Sequence, residues 1–285
     1  MTATPRPYRS VLYIPASKER ALEKARLLPV DAIIFDLEDA VTADEKQNAR
    51  RVLTDQLARG GYGARFRIVR INGLDTRWGR DDALAVRDMG VDAVLLPKVD
   101  SPADVDALAA ITGDLDIWAM METPRGMLNA AAIAAHPKLR GMVMGTNDLA
   151  KELQVRFRAD RLPLVTSLGL CLLAAKSEGL VIVDGVYNAF KDVDGLAQEC
   201  AQGRDMGFDG KTLIHPAQVD IANAAFAPNK AEVDLARRQI AAFEAVQSKG
   251  QGVAVVDGRI VENLHVATAR EILALSHAIE NLTKE

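Results

Sequence analysis

Short apolar runs without polar alternation recur along the chain, and each ends in polar or charged residues followed by a helical pattern. A run of this kind is typical of a strand buried on both faces, as in a parallel sheet. Eight strand–helix units within about 225 residues predict a (β/α)8 TIM barrel, of the α/β class. The predicted strands lie at residues 10–15, 32–35, 66–72, 91–98, 117–121, 141–144, 180–184 and 209–214.

Helix starts follow several of these runs. Capping residues or a cap followed by proline predict starts at Ser17, Asp44, Ser101–Pro102 and Thr123–Pro124. A doubly wound open sheet has the same alternation of elements, but it would be favoured by a glycine-rich dinucleotide-binding turn after the first strand. The turn after Pro15 has no such pattern, so the barrel is the predicted fold.

Pro228 marks the predicted end of the barrel, which divides the chain into residues 1–227 and a small carboxy-terminal lid, residues 228–285. The lid pattern is helix, hairpin and helix, with the hairpin turn at Asp257–Gly258. A segment of this size buries little apolar surface alone. We therefore expect the lid to pack on the barrel or on a neighbouring subunit.

Composition narrows the function classes. A net charge of −4 over 285 residues lacks the basic excess of nucleic-acid-binding proteins. No apolar run is long enough to span a membrane, and the start of the chain lacks the apolar segment of a secretion signal, so a cytoplasmic protein is expected. In that compartment Cys171 and Cys200 are predicted to be reduced core residues.

Two carboxylates close neighbouring strands. Glu122 directly follows the run 117–121, and Asp148 follows the next strand along the chain. The carboxyl ends of barrel strands meet on one face, so the two side chains are expected at one site. Magnesium needs few protein ligands and prefers oxygen, which makes Mg2+, or Mn2+ in its place, the predicted ion. The structural alternative is a pair of carboxylates that cap helices or bind arginines.

Arg70, at the end of the third predicted strand, has two open roles. It can grip a substrate carboxylate at two points, or form a structural ion pair with the acidic cluster Asp36, Glu38 and Asp39. Three carboxylates within four positions need nearby cations, and Lys18 and Lys98 are candidates besides Arg70. We expect this cluster and Lys98 to orient Arg70 rather than to carry out the chemistry.

Seven motifs, in order along the chain, closely resemble those of the citrate lyase β-subunit-like proteins, a family that includes malyl-CoA and citramalyl-CoA lyases. The motifs are Arg9–Pro15, Phe35–Val41 with Lys46 and Arg50 after it, Val69–Asn72, Leu96–Val99, Glu122–Thr123 with Gly126, Gly145–Leu149, and Gly207–Lys211 with Ile214–Pro216. The resemblance covers nearly the whole chain. It implies a (β/α)8 barrel with a carboxy-terminal lid, assembled as a homotrimer or hexamer.

The resemblance also implies a Mg2+-dependent carbon–carbon lyase. Such an enzyme cleaves a 3-hydroxy-carboxyacyl-CoA, such as citryl-, malyl- or citramalyl-CoA, into an acyl-CoA and a keto acid, or condenses the two. The resemblance places the metal on Glu122 and Asp148 and the substrate carboxylate on Arg70. The remaining expected contacts are Asn147 and Asp148 for the substrate, and Lys18, Arg20 and Lys24 for CoA.

The lid departs from the family pattern at one position. CoA lyases of the family carry an aspartate after the lid's Asp-Gly turn, which acts in proton transfer across a subunit boundary. This chain has Glu262 there. Glu262 is expected to be catalytic, and the alternative is a solvated glutamate without a role.

Three alternative functions remain open. One is a thioesterase that hydrolyses malyl-CoA or a relative at the same site. Another is a β-subunit that is active only within a citrate lyase complex. The last is a phosphoenolpyruvate-type barrel enzyme, which a phosphate-binding pocket would favour.

Overall fold

The computed structural model describes residues 6–248, 250 and 252–282. Its main sheet is a closed barrel of parallel strands in sequence order, with the first strand also paired to the last. The predicted α/β barrel is therefore confirmed. The strands are β1 (Ser10–Pro15), β2 (Ala32–Asp36), β3 (Phe66–Arg70), β4 (Ala93–Leu96), β5 (Asp116–Met121), β6 (Leu139–Met144), β7 (Val181–Asp184) and β8 (Gly210–Leu213).

Helices follow every strand and cover the outside of the barrel. They are α1 (Glu19–Ala25), α2 (Lys46–Ala58), α3 (Gly79–Arg87), α4 (Pro102–Thr112), α5 (Pro124–Leu128), α6 (Ala130–Ala134), α7 (Thr146–Glu152), α8 (Leu162–Ser177), α9 (Val193–Met206) and α10 (Val219–Phe226). The helix starts predicted at Ser101–Pro102 and Thr123–Pro124 are confirmed. The Ser101 N–H donates to the Asp104 carboxylate, and the Thr123 hydroxyl accepts from the Gly126 N–H. Those at Ser17 and Asp44 are wrong, because the helices begin after Lys18 and Glu45 without a side-chain cap.

The strands are buried on both faces, as their apolar runs predict. Outward-facing residues such as Phe35 and Val69 pack under the helices. Inward-facing residues form a separate cluster, and near its amino-terminal end the rings of Tyr8, Phe66 and Trp118 lie 5.4 to 5.8 Å apart. These rings fill the barrel below the level of the site. Because side chains alternate along a strand, interior positions beyond this layer point into the mouth at the carboxyl ends.

The chain divides into two compact units, Tyr8–Phe226 and the chain from Ala227 on, to which Arg6 and Pro7 also belong. The second unit, here called the carboxy-terminal unit, has its own small core around Phe243 and Val261. Its elements are α11 (Lys230–Gln247), β9 (Ala254–Val256), β10 (Arg259–Val261) and α12 (Asn263–Leu282), with β9 and β10 paired as an antiparallel hairpin. Its packing on a barrel stays a prediction. Within the described residues, no helix combines the length and apolar character needed to cross a membrane.

Candidate active site

Arg70 is held in the barrel mouth by a two-point ion pair with Asp36. The two residues are register partners on β3 and β2. Arg70 Nε donates to Asp36 Oδ1 at 2.7 Å and Nη2 donates to Oδ2 at 2.6 Å, and both side chains are buried. Asp36 also accepts the backbone N–H groups of Glu38 and Ala40. In this structure both points of the Arg70 grip are on Asp36, as the structural alternative predicts, and the role of Arg70 toward a substrate stays a prediction.

The remaining guanidinium nitrogen of Arg70 faces other groups in the mouth. Nη1 lies 2.9 Å from Glu38 Oε2, 3.6 Å from Asp39 Oδ2 and 3.8 Å from the Met120 sulfur. The guanidinium carbon lies 4.9 Å from the centre of the Tyr13 ring. Arg70 is therefore oriented by the acidic cluster, as expected, and Nη1 is the one guanidinium nitrogen that is not bound to Asp36.

Lys98 connects this ion-pair network to Glu122. Its Nζ lies 3.1 Å from Glu38 Oε1, and its backbone N–H donates to Glu122 Oε1 at 2.9 Å. The Lys98 backbone has a φ of 51°, in the left-handed region that residues other than glycine seldom adopt. Lys98 thus helps to orient both Arg70, through Glu38, and the candidate metal ligand Glu122.

Glu122 is an incompletely paired carboxylate at the carboxyl end of β5. The residue has 0% exposure, and its Oε2 has no hydrogen-bond partner. Gly145 lies directly against it, so a Cβ at position 145 would collide with the Glu122 side chain. Burial, together with the Glu38 carboxylate, raises the pKa of Glu122 to about 8, although Lys98 and Arg70 act in the opposite direction. A buried carboxylate of this kind is stabilised by a nearby cation.

Asp148 lies in the same mouth, on the first turn of α7, and its charge acts on Glu122. It lines a cavity of about 310 Å³ together with Asn147, Arg70 and Tyr13. In the part of the chain that the structure describes, no group of three or more His, Cys, Asp or Glu side chains could hold a metal. Two carboxylates suffice for Mg2+, which keeps several waters. The free oxygen of Glu122 and the all-oxygen donor set therefore fit this ion.

The side-chain amide of Asn147 forms two hydrogen bonds with that of Asn188, in the loop after β7. Its Nδ2 donates to Asn188 Oδ1 at 3.2 Å, and Asn188 Nδ2 donates back to Asn147 Oδ1 at 2.7 Å. Both residues also line a second cavity, of about 440 Å³, with Thr146 and Val186. The amide pair therefore lies where two cavities share a wall.

The four other predicted site residues are at α1 and in the carboxy-terminal unit. Lys18, Arg20 and Lys24 are exposed on α1 and at its start, and none of them lines the mouth cavity. Glu262 is exposed in the carboxy-terminal unit, where its backbone N–H donates to the His265 ring at 3.0 Å. Their CoA and catalytic roles stay predictions.

Sequence reasoning missed Tyr13 as a residue of the mouth. Tyr13 faces the barrel interior from β1, packs against the inward cluster and lines the mouth cavity. Burial raises its pKa. The alternation from Val11, which belongs to the same cluster, is the signal that could have identified it. The buried Lys211 binds the buried Asp184 at 3.1 Å and the half-buried Glu199 at 2.6 Å.

The motifs and fold agree with one protein family. A model described as HpcH/HpaI aldolase/citrate lyase matches residues 9–216. The chain belongs to this family. It is 67% identical to the (3S)-malyl-CoA thioesterase of Cereibacter sphaeroides (strain KD131 / KCTC 12085), over 96% of each chain. It is 35% identical to the citrate lyase subunit beta of Escherichia coli (strain K12), over 93% of this chain and 92% of that one.

A solved structure extends the likeness to nearly the whole chain. Protein CitE from Mycobacterium tuberculosis, in complex with magnesium, acetoacetate and coenzyme A, is 30% identical with a TM-score of 0.79. The match covers 97% of this chain and 100% of that chain. The Mg2+ and CoA expected from the sequence are thus ligands of a structural relative of this family.

The raised pKa of Glu122 predicts a pH-dependent loss of stability in the metal-free protein. Between about pH 4.5 and 8 the unfolded chain releases this proton while the folded chain keeps it, so stability falls as pH rises through this window. Glu122→Gln removes the titration and should unfold at a higher temperature than wild type at pH 8.5. A pKa shift of this size corresponds to about 5 kcal/mol.

Thermal unfolding in chelator, at pH 5 and pH 8.5, measures this difference. Glu178→Gln, which removes an exposed carboxylate at the end of α8, is the matched control and should follow wild type at both pH values. If the unfolding temperature of Glu122→Gln does not rise further above that of wild type between pH 5 and pH 8.5, the assignment of a buried carboxylate with a raised pKa is contradicted.

Proposed function

We propose that the chain is a Mg2+-dependent thioesterase that hydrolyses a malyl-CoA-type 3-hydroxy-carboxyacyl-CoA. The observation that carries this proposal is the buried Glu122, with one carboxylate oxygen unpaired, beside the cavity that Asp148 lines. The 67% identity to a (3S)-malyl-CoA thioesterase over 96% of both chains supports hydrolysis as the outcome.

Glu122 and Asp148 would hold the ion. When bound there, Mg2+ supplies positive charge that polarises the hydroxyl and carboxylate oxygens of the substrate. Arg70 Nη1 and the Asn147 amide face the same cavity and bind oxygens of the acyl group. The two bonds from Arg70 to Asp36 hold the guanidinium in place before substrate enters, so little reorganisation is needed on binding.

A second candidate is the carbon–carbon lyase. The 35% identity to a citrate lyase subunit beta favours it, and so does the match of this chain to the aldolase/citrate lyase family. The same residues would hold the substrate, and the products would be an acyl-CoA and a keto acid. A subunit that works only inside a citrate lyase complex would turn over no free thioester.

Product analysis with purified protein separates these functions. With (3S)-malyl-CoA we expect free CoA and malate in equal amounts, without glyoxylate. EDTA should abolish turnover and Mg2+ should restore it. Glu122→Ala and Asp148→Ala should be inactive but folded, while the surface variant Glu178→Gln should match wild type.

Each contrary result has a definite meaning. Stoichiometric glyoxylate and acetyl-CoA would establish the lyase in place of the thioesterase. Citryl-CoA and citramalyl-CoA, tested in the same assay, show whether another acyl group is preferred. Full activity after chelation would contradict the assignment of Mg2+ to Glu122 and Asp148.

For the lyase reaction we further propose that the chain forms a homotrimer or hexamer. Glu262 of one subunit then transfers a proton in the active site of the neighbouring subunit. The proposal rests on the family resemblance and on the exposed position of Glu262 directly before α12. Glu262→Gln should lose about 10²–10⁴-fold in acetyl-CoA-forming activity with unchanged Mg2+ binding. Glu262→Asp should retain a substantial part.

A mixing experiment tests the subunit boundary. Inactive Glu262→Gln chains combined with inactive Glu122→Ala chains should regain activity, because some assemblies would contain one intact composite site. Mixed assemblies that exchange subunits and stay inactive would show that Glu262 has no role in a shared site.

A further inference from the structure

The hydroxyl of Tyr13 lacks a strong hydrogen-bond acceptor. Tyr13 is half-buried on β1 and lines the mouth cavity with Arg70. Among the described residues, its hydroxyl donates only to the Met120 sulfur, at 3.6 Å. A thioether is a weak acceptor, whereas a buried tyrosine hydroxyl usually finds a better partner. This donor is therefore available to an oxygen that enters the cavity.

Arg70 directs a second donor at the same sulfur atom. Its Nη1 lies 3.8 Å from the Met120 sulfur and also 2.9 Å from Glu38 Oε2, while Nε and Nη2 are bound to Asp36. Two donors from different strands, β1 and β3, thus converge on one weak acceptor on β5. Methionine is flexible and adapts its side chain readily, so an incoming oxygen could displace the sulfur at a small cost.

Both reactions considered for this site create negative charge on one substrate oxygen. In hydrolysis, water oxygen bonds to the thioester carbonyl carbon and the π electron pair moves onto the carbonyl oxygen. When that pair returns, the C–S bond breaks, and the sulfur leaves with its electrons and takes up a proton. In carbon–carbon cleavage, the electrons of the broken bond reach the same oxygen as an enolate. Donors fixed at this oxygen lower either barrier.

We propose that the Tyr13 hydroxyl and Arg70 Nη1 together bind the thioester carbonyl oxygen, at the place that the Met120 sulfur occupies in the free protein. This assignment rests on the proposed function and adds Tyr13 as a catalytic residue. A tyrosine hydroxyl, with an ordinary pKa near 10, is protonated at neutral pH and can donate. It stabilises the oxygen by a hydrogen bond and does not act as a base.

Tyr13→Phe tests the hydroxyl alone, because the ring and its contact with the Arg70 guanidinium remain. We expect kcat for (3S)-malyl-CoA to fall on the order of 10²-fold, the usual loss for one such donor. KM should change much less, since the bond strengthens as charge develops. The matched control is Tyr187→Phe, whose exposed hydroxyl donates to Asp192 and should leave kcat within about twofold.

A thioether analogue of the substrate, with CH2 in place of the carbonyl, provides a readout besides activity. It should bind wild type and Tyr13→Phe with equal affinity in the presence of Mg2+, because it lacks the oxygen in question. Weaker binding to Tyr13→Phe would mean that the hydroxyl shapes the pocket, and would overturn the assignment.

The kinetic outcomes separate this assignment from the proposed function. Wild-type turnover with an unchanged kcat in Tyr13→Phe overturns the role of Tyr13 alone. A wild-type protein that turns over no CoA thioester overturns the proposed function, and the role of Tyr13 with it.

Discussion

The ion pair between Asp36 and Arg70 determines how the barrel mouth is arranged. A buried charge is tolerated only when it is paired and hydrogen-bonded. The pairing of β2 with β3 places these two residues side by side. With two guanidinium nitrogens bound to Asp36, the third lies near Glu38, Asp39 and the Met120 sulfur. The direction of Arg70 Nη1 therefore follows from strand register.

The same network extends to the candidate metal ligand. Glu38 binds both Arg70 and Lys98, and the Lys98 backbone holds one oxygen of Glu122. The other oxygen remains buried without a partner. The charges of Lys98 and Arg70 act on Glu122 without neutralising it fully, which leaves a buried and incompletely paired carboxylate where we propose that a divalent ion binds.

Strand-end chemistry could be predicted from the sequence because it depends on local pattern. An uninterrupted apolar run ending in Glu122 specifies both a buried strand and the face where the carboxylate lies. The sequence could not decide whether Arg70 binds a substrate carboxylate or Asp36, because an arginine at the end of a strand is compatible with either partner. The left-handed backbone conformation of Lys98 and the contact between Tyr13 and Met120 depend on how side chains pack in the folded barrel. The spacing of residues along the sequence does not predict either of them. The roles of Lys18 and Glu262 came from resemblance alone.

Measuring the stoichiometry and affinity of metal binding tests the central claim, that Glu122 is one of two protein ligands of a divalent cation. Mn2+ in place of Mg2+ gives an electron paramagnetic resonance signal when free, so a titration yields the stoichiometry and affinity without any assay of turnover. Wild type and Glu178→Gln should bind one Mn2+ per chain, and Glu122→Gln should bind it more than about tenfold less tightly. Equal Mn2+ affinity in wild type and Glu122→Gln would contradict the account.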